Sequence, residues 1–130
     1  KNSYLIGFLI FDGFPMACLT SMIEPLRASN EISNTNSFEW KLFSEDADKV
    51  KASANVAFET DGSIEEVEKL DALILLSPPN AEFMNSRTVG VLRKLERHGC
   101  TVGAVSGGVF LLGGARHTLS EVLVGFTTSY

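Results

Sequence analysis

The chain has 130 residues, a formal net charge of −5, 45% apolar residues and 21% charged residues. This length suits one domain with a sizeable core and excludes two domains of ordinary size, and the composition excludes a disordered tail. Eleven Lys and Arg residues are scattered among sixteen Asp and Glu residues. The chain by itself is therefore a poor candidate for binding nucleic acid.

The first half of the chain predicts a strand, a helix, a second strand and a hairpin. The apolar run from Tyr4 to Phe11 is typical of a strand buried on both faces. Pro15 to Asn30 repeats apolar residues at helical spacing, with proline at an early helical position and asparagine at the stop. A second buried strand is predicted at Trp40 to Ser44, and a weak alternation over Val50 to Glu59 indicates a short hairpin outside the main sheet.

The second half predicts an acidic helix, two buried strands and a crossover helix. Asp61-Gly62-Ser63 suits the cap of a short helix that continues through Lys69, with its acidic run on a solvated face. The other elements are strands at Ala72 to Leu76 and Thr101 to Val105 and a helix at Arg87 to Arg97. Strands that alternate with helices imply parallel pairing, so we expect an α/β three-layer sandwich with a flavodoxin-like, mostly parallel sheet.

Targeting segments, metal sites and cofactor motifs are not evident in the sequence. The first apolar run is too short for a membrane span and lacks a small-residue cleavage site. Cys18 and Cys100 lie in apolar surroundings without zinc or haem spacing, which is typical of buried thiols in a reducing compartment. No glycine motif for phosphate binding occurs. We expect a cytoplasmic protein with no metal, cofactor or membrane partner.

Three loops are candidates for a binding site, because ligands bind an open parallel sheet where strands end and helices begin. They are Asp12 to Pro15, Ser77 to Asn80 and Ser106 to Gly108. In the last of these, small residues flank Ser106 as in a nucleophile elbow, where a sharp turn holds one side chain clear above the sheet. We expect a small ligand in the crevice between the loops, contacted by Gly13, Phe14, Ser77, Pro78, Ser106 and Gly107.

Two features of these loops argue against acyl-transfer chemistry. Ser106 equally suits the cap of a helix that begins at Gly107, with its hydroxyl bonded to a first-turn N–H group. Capping would not prevent the same side chain from touching a ligand. Pro78 and Pro79 in the loop that faces the elbow have no N–H group, so we expect half of an oxyanion hole to be missing.

Three segments carry a resemblance to a known family. They are Ile6-Gly7-Phe8-Leu9-Ile10-Phe11-Asp12-Gly13-Phe14, Glu24-Pro25-Leu26-Arg27-Ala28-Ser29-Asn30 and the elbow segment from Gly103 to Leu112. The chain resembles the ThiJ/PfpI, class I glutamine amidotransferase-like domain, in particular the version at the N-terminus of AraC-type transcriptional regulators. The resemblance spans all 130 residues. Because such domains usually continue further, it implies a domain incomplete at its C-terminal end, with the helix-turn-helix domain outside this chain.

The resemblance also implies where catalytic groups would stand. Catalytic members of the superfamily place a cysteine nucleophile at the elbow, often helped by an acid from the first helix and a later histidine. This chain has Ser106 at the elbow and Cys18 and Leu19 about where the acid is expected. In Thr127-Thr128-Ser129-Tyr130, a serine replaces the family histidine. We therefore expect no catalytic residues.

The implied function is that of a non-catalytic ligand-sensing and oligomerising domain of an AraC-type transcriptional regulator. Its expected partners are a small-molecule effector, such as an amino acid or a derivative, and a second copy in a homodimer. DNA would be bound only through the separate helix-turn-helix domain. One alternative is a stand-alone ThiJ/PfpI-type hydrolase or lyase that uses Ser106, and another is a dimerisation module without a ligand.

Overall fold

A computed structural model describes residues 3–79 and 81–106 of the chain. The four predicted buried strands, the predicted first helix and the predicted crossover helix are present, and the described chain also contains short strands and two 3-10 turns. The elements are β1 (Tyr4–Ile10), α1 (Met16–Ser33), β2 (Phe38–Ser44), β3 (Val50–Lys51), a turn at Ser53–Asn55, β4 (Ala57–Phe58), β5 (Gly62–Ser63), a turn at Ile64–Glu66, β6 (Ala72–Ser77), α2 (Thr88–Arg97) and β7 (Thr101–Ser106).

Five of the seven described strands form the main sheet, in the order β5-β2-β1-β6-β7. Every neighbouring pair in this sheet is parallel. β3 and β4 pair antiparallel in a separate two-stranded sheet, which confirms the predicted hairpin. The predicted fold class, a flavodoxin-like α/β sandwich with a mostly parallel sheet, is also confirmed.

Alternate residues of the central strands pack on opposite faces of the sheet. Leu9 and Leu73 belong to the core cluster that contains Leu92 of α2. Phe8 and Ile74 belong to the other cluster, which contains Leu19 of α1. The two helices therefore cover opposite faces of the sheet. This follows from right-handed crossovers, because the connection from β1 to β2 and the connection from β6 to β7 run toward opposite ends of the sheet.

Helix α1 continues past the predicted stop at Asn30 and ends at Ser33. The Asn30 side chain instead reaches strand β2, where its amide nitrogen donates to the Phe38 carbonyl at 2.9 Å and its oxygen accepts from the Phe38 N–H at 3.1 Å. The helix is closed by Asn34 in the left-handed conformation, with φ of 55°. A tertiary contact thus uses the residue that the sequence assigned to the end of the helix.

The predicted acidic helix through Lys69 is wrong beyond its first turn. Ser63 does cap the segment, since its hydroxyl accepts from the Glu65 N–H at 3.1 Å, but the helical part is only the 3-10 turn Ile64–Glu66. Val67 is extended, and both Ile64 and Leu70 are buried in the same core cluster. Six positions apart, these two residues would project from different sides of an α-helix, so their joint burial favours the extended path.

Glu65 also differs from the predicted solvated face. Its carboxylate pairs with the Arg87 guanidinium at 3.0 Å and accepts from the Asn85 side-chain amide. The Arg87 contact holds the pKa of the Glu65 carboxyl below its usual value. This pair ties the Ile64–Glu66 turn to the start of α2.

Candidate functional site

The three candidate loops follow neighbouring strands at one edge of the sheet. β6 lies between β1 and β7, and all three are parallel, so their carboxyl ends meet at the same edge. In the register, Ile10 is opposite Leu76, and Ser77 is opposite Ser106. The structure therefore brings the strand ends of the predicted site together, as the topological rule for parallel sheets requires.

The first two loops are in direct contact through Gly13 and Pro78. Gly13 has a φ of +84°, a left-handed conformation that favours glycine, and a Cβ at this position would lie 3.2 Å from Pro78 Cγ. The Phe11 N–H donates to the Leu76 carbonyl at 3.1 Å just below this contact. A side chain at position 13 would therefore require Pro78 to shift by a few tenths of an ångström.

Phe14, a predicted ligand contact, lies in the core beneath the first loop, and its contact with a ligand stays a prediction. Its side chain is fully buried and packs edge to face against Phe58, with 5.2 Å between ring centroids. It belongs to the core cluster on the α1 face of the sheet. The side chain therefore supports the first loop from below, because an aromatic ring next to an apolar strand gains more from burial in the core than from exposure in a crevice.

Ser77 places a buried hydroxyl at the edge where the loops meet. The residue is fully buried, and its Oγ has no hydrogen-bond partner among the described residues. An unsatisfied buried polar group typically costs about 1–3 kcal/mol and calls for an explanation. The predicted contact between Ser77 and a ligand stays a prediction, and this hydroxyl is the group through which it would occur.

Ser106 is the last residue of β7 and the last residue that the structure describes. Its position beside Ser77 agrees with the predicted placement of the elbow at the end of a strand. Gly107, the predicted helix cap and Ser129 lie outside the described residues. The structure thus locates the backbone of Ser106 without testing its predicted role.

The loop after β6 is fixed by a buried carboxylate that the sequence did not single out. Glu45, directly after β2, accepts from the N–H groups of Met84 and Asn85 at 2.8 and 3.1 Å. It also accepts from the Thr88 hydroxyl at 2.5 Å. These bonds compensate the burial of the charge and hold the segment that leads from Pro78 into α2. Nothing in the local sequence distinguishes Glu45 from other acids at the end of a strand.

A second feature missed from the sequence is that the hairpin packs on the first loop. The Gly13 N–H donates to the Lys51 carbonyl at 2.7 Å, and the Lys51 N–H donates to Asp12 Oδ1 at 3.1 Å. The Ser53 N–H donates to the Phe14 carbonyl at 2.8 Å. The hairpin therefore forms a wall beside the loop that carries Gly13.

Neither cysteine stands where a nucleophile would be needed. Cys100 precedes β7 at the opposite edge of the sheet from Ser106, which confirms a buried thiol there. Burial raises the pKa of this thiol to about 12, and the carboxylates of Asp71 and Glu96 add to the rise. Cys18, in the first turn of α1, is only half-buried, because the helix turns it toward the edge of the core cluster on that face.

The described part of the chain has neither a cluster of metal-binding side chains nor a helix suited to a membrane. Residues 3–79 and 81–106 contain no group of three or more His, Cys, Asp or Glu side chains that could hold a metal ion. Within the same ranges, no helix has the length and apolar character that crossing a membrane would need.

Comparisons with known proteins place the chain beside transcriptional regulators. It is 33% identical over 95% of its length to the HTH-type transcriptional regulator CdhR of Pseudomonas aeruginosa, of which it spans 39%. A crystal structure of an AraC family transcriptional regulator from Pseudomonas putida has a TM-score of 0.76 and 23% identity, covering 88% of this chain and 71% of that one. No family model matches.

The same fold occurs in a ThiJ/PfpI family protein from Pseudomonas syringae, with a TM-score of 0.66 and 14% identity over 87% of this chain and 46% of that one. The resemblance predicted from the sequence is thereby confirmed. The chain shares its fold with ThiJ/PfpI proteins and its sequence with part of an HTH-type transcriptional regulator.

We predict that replacement of Gly13 by alanine destabilises the protein more than replacement of Gly99. Both residues have positive φ, +84° and +96°, so each alanine suffers backbone strain of about 1–2 kcal/mol. Only at position 13 does the new methyl group also press on Pro78, since nothing lies within 4 Å of a Cβ at Gly99. Free energies of unfolding from urea titration measure the difference. An equal loss in both variants would contradict the close approach of the two loops.

Proposed function

We propose that this chain is the non-catalytic ligand-sensing and oligomerising domain of an AraC-type transcriptional regulator. The observation that carries the proposal is the 33% identity to CdhR across 95% of this chain, which spans only 39% of that regulator. DNA is then contacted by a separate helix-turn-helix domain. The net charge of −5 agrees with DNA binding by a separate domain, because the phosphate backbone of DNA repels a negatively charged domain.

The proposed binding site is the crevice at the carboxyl edge of β1, β6 and β7. Its proposed contacts are Gly13, Phe14, Ser77, Pro78, Ser106 and Gly107, and Phe14 also supports the first loop from below. The unpartnered Ser77 hydroxyl offers a polar group to a ligand that enters between the loops. A small polar effector, such as an amino acid or a derivative, suits a crevice with few converging polar groups.

The proposed absence of catalysis is supported by the groups that chemistry at Ser106 would need. A serine hydroxyl requires an adjacent strong base to act as a nucleophile. His98 is the one histidine in the described part of the chain, and it follows α2 at the opposite edge of the sheet. Pro78 and Pro79 donate no N–H groups, and the loss of one oxyanion donor typically costs about 10²–10³ in rate.

The proposal includes a homodimer in the cytoplasm. Regulators that bind paired half-sites on DNA are commonly symmetric dimers, since a two-fold site matches a two-fold protein. The two cysteines, which form no disulfide with each other, fit a reducing compartment.

We predict that the purified protein hydrolyses ester, amide and peptide substrates no faster than the buffer does. The same result is expected for Ser106→Cys, because a thiol without a base and oxyanion donors stays inactive. Initial rates with chromogenic esters and anilides measure this. A turnover that Ser106→Ala abolishes would establish the hydrolase alternative.

We predict that Ser106→Trp blocks binding of the effector without unfolding the protein. The probe is a panel of the common amino acids and their simple derivatives, tested by the rise in Tm of the protein encoded by the complete reading frame. At least one compound should raise the Tm of the native protein but not that of Ser106→Trp. The control variant Ser29→Trp, on the exposed side of α1, should show the same rise in Tm as the native protein. An unchanged shift in a Ser106→Trp variant with native circular dichroism would place the ligand elsewhere.

A further inference from the structure

A cavity of about 930 Å³ lies between the β3–β4 hairpin and the turn at Asp12 and Gly13. Its size is within the range of small-molecule sites. Lys49, Lys51 and Asn55 are among the residues that line it, and all three are exposed. Gly13 lines this cavity and also contacts Pro78 across the proposed crevice, so the two spaces share a wall.

The charge of this cavity is opposite to that of the chain. Two lysines and a single acid, Asp12, line it, whereas the chain as a whole has a net charge of −5. Asp12 directs one carboxylate oxygen to the backbone N–H of Lys51. Within the described ranges, neither lysine forms an ion pair. Both ammonium groups are therefore available to a ligand.

The acids next to the hairpin in sequence do not line this cavity. Asp46 bonds within its own loop, where its Oδ1 accepts from the Asp48 N–H at 3.0 Å and from the Ser44 hydroxyl at 3.3 Å. Asp48 is exposed and outside the lining. Among the described residues, Asp12 is thus the one carboxylate in the lining, and the two lysines leave the cavity with a net positive charge.

The lysines are carried on a firmly held element. Val50 and Ala52, which alternate with them, are buried in the core cluster that contains Phe14. Backbone hydrogen bonds join Lys51 to both Asp12 and Gly13. A rigid support reduces the entropy lost when a ligand binds, which favours a defined subsite over a mobile patch of charge.

We propose that this cavity binds the acidic group of a small organic anion, with Lys49 and Lys51 as its cationic contacts and Asn55 as a neutral donor. The inference rests on the proposed sensing function, to which it adds the charge of the effector and the place of its acidic end. The rest of the effector then extends past Gly13 into the crevice. Carboxylate and phosphate share this chemistry, and both serve as probes.

The test is a titration of the isotope-labelled protein with malonate and, separately, with inorganic phosphate, followed by amide chemical shifts. The expected result is saturable shifts at Gly13, Lys51 and Asn55, which weaken when sodium chloride is raised from about 20 to about 300 mM. Shifts with malonate alone assign a carboxylate, and shifts with phosphate at equal or higher affinity assign a phosphoryl group. The absence of saturable shifts at these residues with either probe would overturn the proposal.

Two double variants separate a site from general attraction of charge. Lys49→Gln with Lys51→Gln should weaken binding roughly five- to tenfold, the usual scale for two exposed ionic contacts. Lys41→Gln with Lys94→Gln removes the same charge from exposed positions outside the cavity and should leave affinity unchanged. Equal weakening in both variants would mean nonspecific attraction and would overturn the proposal.

The titration and the Ser106→Trp experiment can fail separately. Loss of the anion site with an intact Ser106-dependent response would remove the subsite and leave the sensing function in place. Anion binding at the hairpin without any Ser106-dependent response would remove the sensing function and leave an anion site.

Discussion

Burial of β1 and β6 on both faces is the constraint on which the rest of the structure depends. Every residue of β6 is buried, and β1 pairs with parallel partners on both sides. Burial on both faces requires helices on both sides of the sheet. Parallel pairing requires each crossover to bring the chain back to the edge at which the previous strand began, so that all strands end at the opposite edge. The loops after β1 and β6 and the end of β7 therefore lie at one edge, which is the edge of the candidate site.

Polar contacts fix the positions of the loops at the edge of the sheet where the strands end. Glu45 anchors the loop after β6, and the hairpin anchors the loop after β1 through Asp12 and Gly13. Each anchor comes from a segment outside the three central strands. Such supports hold the two loops close enough for Gly13 to touch Pro78, which a sheet edge alone does not ensure.

The parts of the fold that were predicted from the sequence are those fixed by local pattern. The buried strands follow from short apolar runs, and the edge that carries the site follows from the alternation of strands and helices. Asn30 and Glu65 were misjudged because each side chain is used in a contact with another element, through Phe38 and Arg87, respectively. Local propensity is a weak guide where a tertiary contact decides the outcome. The roles of Glu45 and Lys51 leave no signal in sequence spacing for the same reason.

The most direct measurement of the central claim is the affinity for promoter DNA, by fluorescence anisotropy at physiological salt, of this chain and of the protein from the complete reading frame. We expect no specific binding to promoter DNA by the chain alone and tight binding by the complete protein. We also expect the compound that most raises the Tm to change the Kd of the complete protein for DNA by roughly fivefold or more, the usual scale of allosteric coupling. Specific submicromolar binding by the chain alone, or a Kd that the compound leaves unchanged, would contradict a sensing domain separate from the DNA-binding domain.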